Sequence, residues 1–272
     1  MDSKVFEAFR AFIHAQTGVT MHKGKEALLR ARISERMRAL GLEDETAYLQ
    51  RVRGDNSGSE LRLFINSITT NTTSFFRAPE HFAILNEHIA RWAAHGGARY
   101  RAWSAASSTG EEPWSMAMVM ARAVPDWARR DVRLLATDID TDVLAEAHAG
   151  RYRDRVVASA PPEFRQRCFV PAGHDENGAW LSVRPDLRSM VSFGQLNLIR
   201  PPYPMRGPFD IIFCRNVLIY FDHETRIRTL TAMVELLHPD GLLVLGPSES
   251  AMGLEHLVRR ATDSVYVPRS TP

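Results

Sequence analysis

Hydrophobic residues in the first seventy positions recur at spacings of three and four, which is the period of one helix face. The pattern is clearest in FEAFRAFI, KEALLRARISERMRALGL and AYLQRV, and Gly41 stands where the second of these helices would stop. There is little strand signal in this part of the chain. Residues 1–70 are therefore expected to form a small all-helical N-terminal domain.

From about residue 99 the pattern changes to short apolar runs, separated by helical stretches at 113–124, 141–149 and 223–238. Strands that alternate with helices favour a parallel sheet covered by helices on both faces. The runs that predict strands are YRAWSAA, VRLLATDI, MVSFGQL, FDIIFCRN and GLLVLGP. The expected fold class is α/β, with a doubly wound, mostly parallel sheet in a domain of residues 71–272.

The alternation breaks between residues 151 and 190. Within this region, FVPAGHDENGAWLSVRPDL predicts two short strands around a turn-rich loop. A small antiparallel β-subdomain is therefore expected as an insertion at about 166–190. The join between the helical and α/β parts lies near NTTSFFRAPEHF, residues 71–82.

Composition excludes several classes of protein. The formal charge of +2 is too small to indicate a nucleic-acid partner, and two cysteines make neither a disulfide framework nor a zinc site. The N-terminus is amphipathic rather than a signal peptide, and no stretch approaches the ~20 apolar residues of a membrane span. These features predict a soluble cytoplasmic protein that does not insert into the membrane.

One strand leads into SAASSTGEEPWSMAM, residues 104–118, where a nucleotide-binding domain would carry a glycine-rich phosphate loop. Here Gly110 is followed by Glu111 and Glu112. A phosphate prefers bare N–H groups at a helix N-terminus, so these carboxylates would repel it and attract a cation or hydroxyl groups instead. Alternatively, both glutamates merely suit the helix dipole, a stabilisation of ~0.3–1 kcal/mol.

The second predicted strand ends in ATDID, which places Asp138 and Asp140 at its carboxyl end. An acid at this position commonly accepts hydrogen bonds from ribose hydroxyls. Asp138 is favoured for the ligand and Asp140 for capping the next helix. A ligand with a ribose, a positive centre and no phosphate is S-adenosylmethionine, whose ammonium and sulfonium groups both favour nearby carboxylates.

Asn197 and Asn216 follow two further predicted strands and would face the same crevice, where an amide can donate and accept hydrogen bonds. A lone Asn more often forms a turn, and that alternative applies to each. Other chemistries are poorly supported: the chain has no G-x-S-x-G elbow, since LGPSES (245–250) has the wrong spacing, and no H-E-x-x-H. The ten histidines lack metal-ligand spacing, so no metal site is expected.

Five blocks in order resemble the bacterial chemotaxis receptor glutamate O-methyltransferases of the CheR type. They are NTTSFFR (71–77), WSAASSTGEEPWS (103–115), ATDIDTDVL (136–144), GPFDIIFCRNVLIYFD (207–222) and HPDGLLVLGPSES (238–250). The resemblance implies the Rossmann-like fold of class I S-adenosylmethionine methyltransferases, and an enzyme that uses S-adenosylmethionine to methylate glutamates on the cytoplasmic helices of chemoreceptors.

Carried over by matching position, the resemblance implies a set of cofactor contacts and chooses Glu112 over Glu111. It also implies that Arg77 and Tyr220 stand near the transferred methyl group. The implied cofactor contacts are Asn71, Thr73, Arg77, Glu112, Asp138, Asn197, Leu198, Asn216 and Val217.

The stretch KGKEALLRARISERMR (23–38) carries six basic residues against two glutamates. Such a face is usually only solvated, but an acidic receptor helix would be steered by it. Arg32, Arg36 and Arg38 are therefore candidate receptor-binding residues, and the chain is expected to act as a monomer.

The resemblance places a site for a receptor C-terminal tether peptide at the β-subdomain in some members. The loop AGHDENGA (172–179) departs from the short glycine-rich version of those members, so tether binding is undecided and slightly disfavoured. Two rival functions stay open: a methyltransferase with another acceptor, and a non-catalytic module that binds the cofactor.

Overall fold

The computed structural model describes residues 1–269. The chain begins with four helices: α1 (Ser3–Thr17), α2 (Glu26–Ala39), α3 (Glu45–Arg53) and α4 (Ser59–Ile68). Asp2 and Asp44 start α1 and α3 by accepting hydrogen bonds from backbone N–H groups of the first turn. The apolar faces meet in a core of their own that includes Phe9, Ile33 and Phe64. The helical part thus has an independent core, as the three-and-four spacing predicts.

The rest of the described chain alternates between helices and strands. In chain order the elements are α5 (Pro79–Ala94), β1 (Arg99–Ser104), α6 (Glu111–Ala123), β2 (Asp131–Asp138), α7 (Thr141–Ala149), β3 (Arg151–Arg153), α8 (Asp154–Val157), α9 (Pro162–Cys168), β4 (Phe169–Asp175), β5 (Gly178–Val183), α10 (Pro185–Arg188), β6 (Val191–Gln195), β7 (Phe209–Cys214), α11 (His223–Val234), β8 (Leu237–Leu245), β9 (Val258–Thr262) and β10 (Val265–Pro268). Short 3₁₀ helices lie at Trp127–Arg129 and Leu218–Tyr220.

Seven strands form the main sheet in the order β6-β2-β1-β7-β8-β10-β9. The first five are parallel, while β10 pairs antiparallel with β8 and β9. This confirms the predicted mostly parallel, doubly wound sheet. The strand order reverses between β1 and β7, and ligands of such sheets bind at the carboxyl ends of the strands beside that reversal.

Alternating side chains of the central strands supply two separate cores. Tyr100 and Ala102 of β1 pack on one face, in the core that contains α6, while Trp103 packs on the opposite face, in the core that contains α11. Ile211 and Ile212 of β7 divide between the faces in the same way. Because both faces are covered, residues 211–214 of β7 form a continuous apolar run, IIFC.

A second sheet of three antiparallel strands, in the order β3-β5-β4, forms the expected β-subdomain. The hairpin of β4 and β5 matches the two predicted strands, whereas β3 was not predicted because three residues carry no readable period. The β9–β10 pair and α5 also escaped the sequence pattern. The last predicted helix ends at Val234, not at 238, because β8 begins at Leu237. Over residues 1–269, none of the helices has the length and apolar character that a bilayer crossing requires.

Candidate active site

A cavity lies at the carboxyl ends of β1, β2, β6 and β7. Its volume is about 1070 Å³, which includes the open solvent space at its mouth. Residues from the segments 17–19, 68–77 and 216–221 complete its walls. All ten predicted cofactor and catalytic residues line this one cavity: Asn71, Thr73, Arg77, Glu112, Asp138, Asn197, Leu198, Asn216, Val217 and Tyr220.

Gly110 makes the turn from β1 into α6. Its φ is +98°, and a Cβ there would lie 2.7 Å from the Tyr152 hydroxyl and 2.8 Å from the Ala147 Cβ. Only glycine combines this conformation with so close an approach. The single glycine of the stretch is therefore a packing requirement, and the loop offers no run of bare N–H groups for a phosphate.

Glu112 points from the first turn of α6 into the cavity and forms a buried ion pair with Arg215. Its Oε2 accepts a hydrogen bond from Arg215 Nη1 at 2.9 Å, and its Oε1 accepts one from the Ser104 hydroxyl at 2.8 Å. Burial raises the pKa of the Glu112 carboxyl, and the adjacent Arg215 guanidinium opposes that shift. A carboxylate has about four acceptor positions, so two remain for a ligand.

Glu111 takes no part in the cavity wall. It is 5% exposed, accepts a hydrogen bond from the Thr109 hydroxyl at 2.7 Å, and has its pKa raised by burial. Of the two glutamates, only Glu112 is placed to touch a bound molecule.

The two aspartates after β2 have separate roles. Asp140 caps α7, because its Oδ1 accepts hydrogen bonds from the N–H groups of Asp142 and Val143. Asp138 lines the cavity, accepts from the Ser108 N–H at 2.8 Å, and has its pKa raised by burial. The predicted cap at Asp140 is confirmed, and Asp138 is the acid available to a ligand.

Asp140 also holds the segment that joins the two parts of the chain. Its Oδ2 accepts hydrogen bonds from the Thr69 hydroxyl at 2.6 Å and from Asn71 Nδ2 at 2.8 Å. Ser108 donates to the Asn71 carbonyl at 3.0 Å. Segment 68–73 is therefore tied to the carboxyl ends of β1 and β2, which fixes it as a cavity wall.

Asn197 and Asn216 stand at strand ends, as predicted, but the side-chain amide of Asn197 is engaged by the protein itself. Asn197 Nδ2 donates to the Gln16 carbonyl at 2.7 Å, and its Oδ1 accepts from the Ile199 N–H. Asn216 adopts φ of +58°, a conformation that Asn tolerates better than most residues. The turn-forming alternative therefore holds for the backbone of Asn216. Asn216 nevertheless also lines the cavity.

Arg77 and Tyr220 stand at the exposed side of the cavity. Arg77 is exposed, and its guanidinium donates to the Thr72 carbonyl at 3.1 Å. Within residues 1–269 it forms no ion pair, so the alternative of a salt bridge with Glu80 does not hold. Its positive charge therefore has no carboxylate partner within the described residues.

Two functional features were missed from the sequence. Arg215 is 4% exposed and joins Glu112 to the backbone carbonyl of Arg77, to which its Nη2 donates at 2.5 Å. Its position at the carboxyl end of the predicted strand FDIIFCRN was the available signal. The second feature is the end of α1: Thr17 and Val19 line the cavity, and the Thr20 N–H donates to the Tyr220 carbonyl at 2.7 Å. Nothing in local periodicity indicates that contact.

The predicted receptor-binding arginines differ in their surroundings. Arg32 donates to the carbonyls of Ile68 and Thr69, and Arg36 forms a bidentate pair with Glu60 at 3.1 and 2.7 Å. Arg38 is exposed. Two of the three arginines therefore hold the helical part together, and Arg38 remains available to a partner.

In the β-subdomain the side chains of β3 and β5 pair across the strands. The Cζ of Arg153 lies 3.9 Å from the centroid of the Trp180 ring. Asp175 accepts a hydrogen bond from Arg153 at 2.5 Å. Residues 151–183 lie outside the cavity wall. Over residues 1–269 no three His, Cys, Asp or Glu side chains are grouped to hold a metal ion.

Comparison with known families gives this geometry a context. The family model described as "CheR methyltransferase, SAM binding domain" matches residues 71–267, and the one described as "CheR methyltransferase, all-alpha domain" matches residues 4–69. The chain belongs to the CheR methyltransferase family. It is accordingly an S-adenosylmethionine-dependent methyltransferase, and its main sheet is the Rossmann-like sheet of class I enzymes.

Similar curated proteins extend over nearly the whole chain. Identity is 40% to the chemotaxis protein methyltransferase of Escherichia coli strain K12, over 94% of this chain and 87% of that protein. It is 41% to the chemotaxis protein methyltransferase of Salmonella typhimurium strain LT2, over 96% and 88%. It is 38% to chemotaxis protein methyltransferase 2 of Pseudomonas aeruginosa strain PAO1, over 97% and 92%.

The donor set of the cavity fits S-adenosylmethionine. The carboxylates of Glu112 and Asp138 line the cavity. The loop between β1 and α6 has no glycine-rich run that would bind a phosphate. Carboxylates suit ribose hydroxyls and an ammonium group, and they disfavour the phosphates of dinucleotides or ATP. The CheR family's cofactor is thus matched by the chemistry of the side chains that surround the cavity.

Proposed function

We propose that this chain transfers the methyl group of S-adenosylmethionine to glutamate side-chain carboxylates of chemoreceptors, forming glutamyl methyl esters for sensory adaptation. The observation that carries the proposal is the 40% identity, over 94% of the chain, to a protein named a chemotaxis protein methyltransferase. Supporting it, every residue proposed for cofactor and methyl transfer lines one cavity.

In this proposal different residues of the cavity wall contact different parts of the cofactor. Asp138 accepts hydrogen bonds from the ribose hydroxyls, and Glu112 accepts from the ammonium group of the methionyl part. Asn71, Thr73 and Arg77 contact it from the joining segment. The contacts from the sheet side are made by Asn197, Leu198, Asn216 and Val217.

The reaction needs alignment more than acid–base chemistry. When bound, S-adenosylmethionine supplies a methyl group on a sulfonium, which is already a good leaving group. A glutamate carboxylate, with an ordinary pKa of ~4.3, is ionised at neutral pH and needs no general base. The protein's work is to orient the acceptor oxygen in line with the methyl group and to exclude water from it.

Arg77 is proposed to orient the acceptor carboxylate, because a guanidinium can hold both carboxylate oxygens in a fixed fork. Its exposure at the cavity mouth and its lack of an ionic partner within residues 1–269 support this role. The product ester is neutral, so the pairing must weaken as the reaction proceeds. Tyr220 is proposed to flank the same point from the opposite wall.

Receptor recognition is proposed for the helical domain, residues 1–70, while residues 71–272 carry the methyltransferase domain with the β-subdomain at about 166–190. The acidic methylation helices of the receptor would meet the basic face of α2, where Arg38 is exposed. Arg32 and Arg36 contribute to this face mainly by holding its structure. We expect the protein to act as a monomer in the cytoplasm, which light scattering and cell fractionation test.

The direct test supplies the purified chain with S-adenosylmethionine labelled in its methyl group and with receptor-containing membranes. Label that is bound to receptor protein and that base treatment releases in volatile form supports the proposal. Receptors whose methylation-site glutamates are replaced by alanine serve as the acceptor control. Label on nucleic acid or on a small molecule would instead favour another acceptor.

A variant separates catalysis from cofactor binding. Arg77→Ala is expected to lose most of its methyl-transfer rate while circular dichroism shows an intact fold. Glu80→Ala, three residues along on the exposed start of α5, is the matched control and should keep wild-type turnover. Near-normal turnover of Arg77→Ala would remove Arg77 from the reaction. A wild-type chain that binds S-adenosylhomocysteine yet labels no acceptor would indicate a non-catalytic module.

A further inference from the structure

The segment 216–220 forms one wall of the cavity and carries three residues of the proposed site, Asn216, Val217 and Tyr220. It begins two residues after the end of β7 and includes Asn216, whose φ is +58°. A short segment with such a backbone needs support from elsewhere in the fold to keep one conformation.

That support comes from Glu249, which lies in the loop after β8 and is 8% exposed. Its Oε2 accepts hydrogen bonds from the N–H groups of Gly246 at 2.7 Å and Asn216 at 2.8 Å. Its Oε1 accepts from the N–H groups of Leu218 at 2.8 Å and Ile219 at 3.3 Å. One carboxylate thus satisfies four backbone donors, three of which belong to the cavity segment.

Gly246 makes this arrangement possible. A Cβ at Gly246 would lie 2.5 Å from Glu249 Oε2 and 3.1 Å from the Asn216 nitrogen. Glycine is therefore required for the carboxylate to reach the segment. Within residues 1–269 Glu249 forms no salt bridge, and its recorded hydrogen-bond donors are these four backbone N–H groups.

We propose that Glu249 is a positioning residue for methyl transfer: its carboxylate fixes segment 216–220 so that Asn216 and Tyr220 hold cofactor and acceptor in register. The inference rests on the proposed function, since it concerns the same cavity. Glu249 touches neither reactant, because it lies behind the segment and outside the cavity wall.

The informative change is Glu249→Gln, which keeps the shape but replaces one acceptor oxygen by an NH₂ that faces two N–H donors. The segment must then shift, and a displacement of about 1 Å costs up to ~10²-fold in rate. We expect S-adenosylhomocysteine affinity to fall at least about tenfold and kcat to fall about 10- to 100-fold. The KM for receptor should change less than twofold, because the helical domain recognises the receptor.

The experiment measures S-adenosylhomocysteine binding by calorimetry, kcat and KM with receptor membranes, and thermal unfolding. Glu235→Gln, at an exposed position just after α11, is the matched control and should equal wild type in every measurement. A lowered Tm with unchanged kcat per binding site would show a merely structural role and overturn the proposal. So would Kd and kcat within twofold of wild type.

Glu249→Asp covers the case in which the glutamine variant does not fold. It keeps the charge but is one methylene shorter, so it cannot hold both sides of the segment, and we expect an intermediate loss of kcat. Wild-type kcat in that variant contradicts the inference. The calorimetric comparison needs no acceptor, so it tests Glu249 even if wild type labels no receptor and the proposed acceptor is wrong.

Discussion

Replacing Arg215 with methionine leaves Glu112 buried without its cation. The side chains of Arg215 and Glu112 are 2% and 11% exposed, and their charged atoms lie 2.9 Å apart. At that distance the attraction is about 6 kcal/mol for an effective dielectric constant near 20. Much of it offsets the cost of removing both charges from water, so the pair contributes little net stability while each partner depends strongly on the other.

Removing one partner of such a pair costs ~3–5 kcal/mol. We therefore expect Arg215→Met to lower the free energy of unfolding by about that amount. The double variant Arg215→Met, Glu112→Leu should recover most of it, ending within ~2 kcal/mol of wild type, because no buried charge is left unpaired. Both variants should lose methyl transfer, since the double variant lacks the Glu112 carboxylate and Arg215→Met removes the guanidinium that holds that carboxylate in place.

The free energy of unfolding is measured by urea unfolding of wild type, both single variants and the double variant.

The pH dependence of the free energy of unfolding provides a second test. Without Arg215, the pKa of Glu112 rises further above its ordinary value of 4.5, since burial raises it and its opposing cation is gone. A folded-state pKa above the unfolded value gives stability that is present at low pH and falls as pH rises through the folded pKa. The deficit of Arg215→Met should therefore grow from pH about 4.5 upward.

Two results would refute this reasoning. One is a loss below ~1 kcal/mol in Arg215→Met, the value for a solvent-exposed pair. The other is a double variant whose loss equals the sum of the two single losses, because that additivity would mean that the side chains do not interact.

Three further outcomes are expected. Arg36→Ala should lower Tm because it breaks the partly buried pair with Glu60. Arg38→Glu should leave Tm unchanged and raise the KM for receptor. An equal KM in Arg38→Glu and wild type would exclude that residue from recognition. Burial lowers the pKa of His81 to about 4, so the neutral ring contributes stability above pH 6.5 that is lost as pH falls towards 4, up to about 3 kcal/mol. His81→Leu should flatten that part of the acid-unfolding profile, and an unchanged profile contradicts the assignment. Tyr220→Phe should lower kcat with little change in S-adenosylhomocysteine affinity, and steady-state kinetics with wild-type kcat would show that the hydroxyl is dispensable.

The sequence predicted those parts of the fold whose signal is local. Buried parallel strands such as Phe209–Cys214 read as apolar runs, and the helix at Thr141–Ala149 carries its own cap in Asp140. The three-residue strand Arg151–Arg153 and the exposed strand Val258–Thr262 carry no comparable period, so pairing with distant partners decides them.

In the site, the residues at strand ends were predictable because parallel strands deliver their carboxyl ends to one edge. What each residue contacts was not predictable. Asn197 donates to the Gln16 carbonyl, and Arg32 holds the segment after α4, through contacts that join residues far apart in the chain. Such pairings depend on how the two parts of the molecule pack, and neither composition nor spacing records them.

The end of α1 has a consequence for protein engineering. Thr17 and Val19 belong to the cavity wall, and a Cβ at Gly18 would clash with the side chain of Ile199. The amino-terminal helices are therefore a component of the catalyst. A truncated chain that starts at residue 71 would open the cavity to solvent on that side. If the helices recognise the receptor, as proposed above, chimeras that exchange receptor preference must transplant the surface of the helices and keep residues 14–20 matched to the catalytic half.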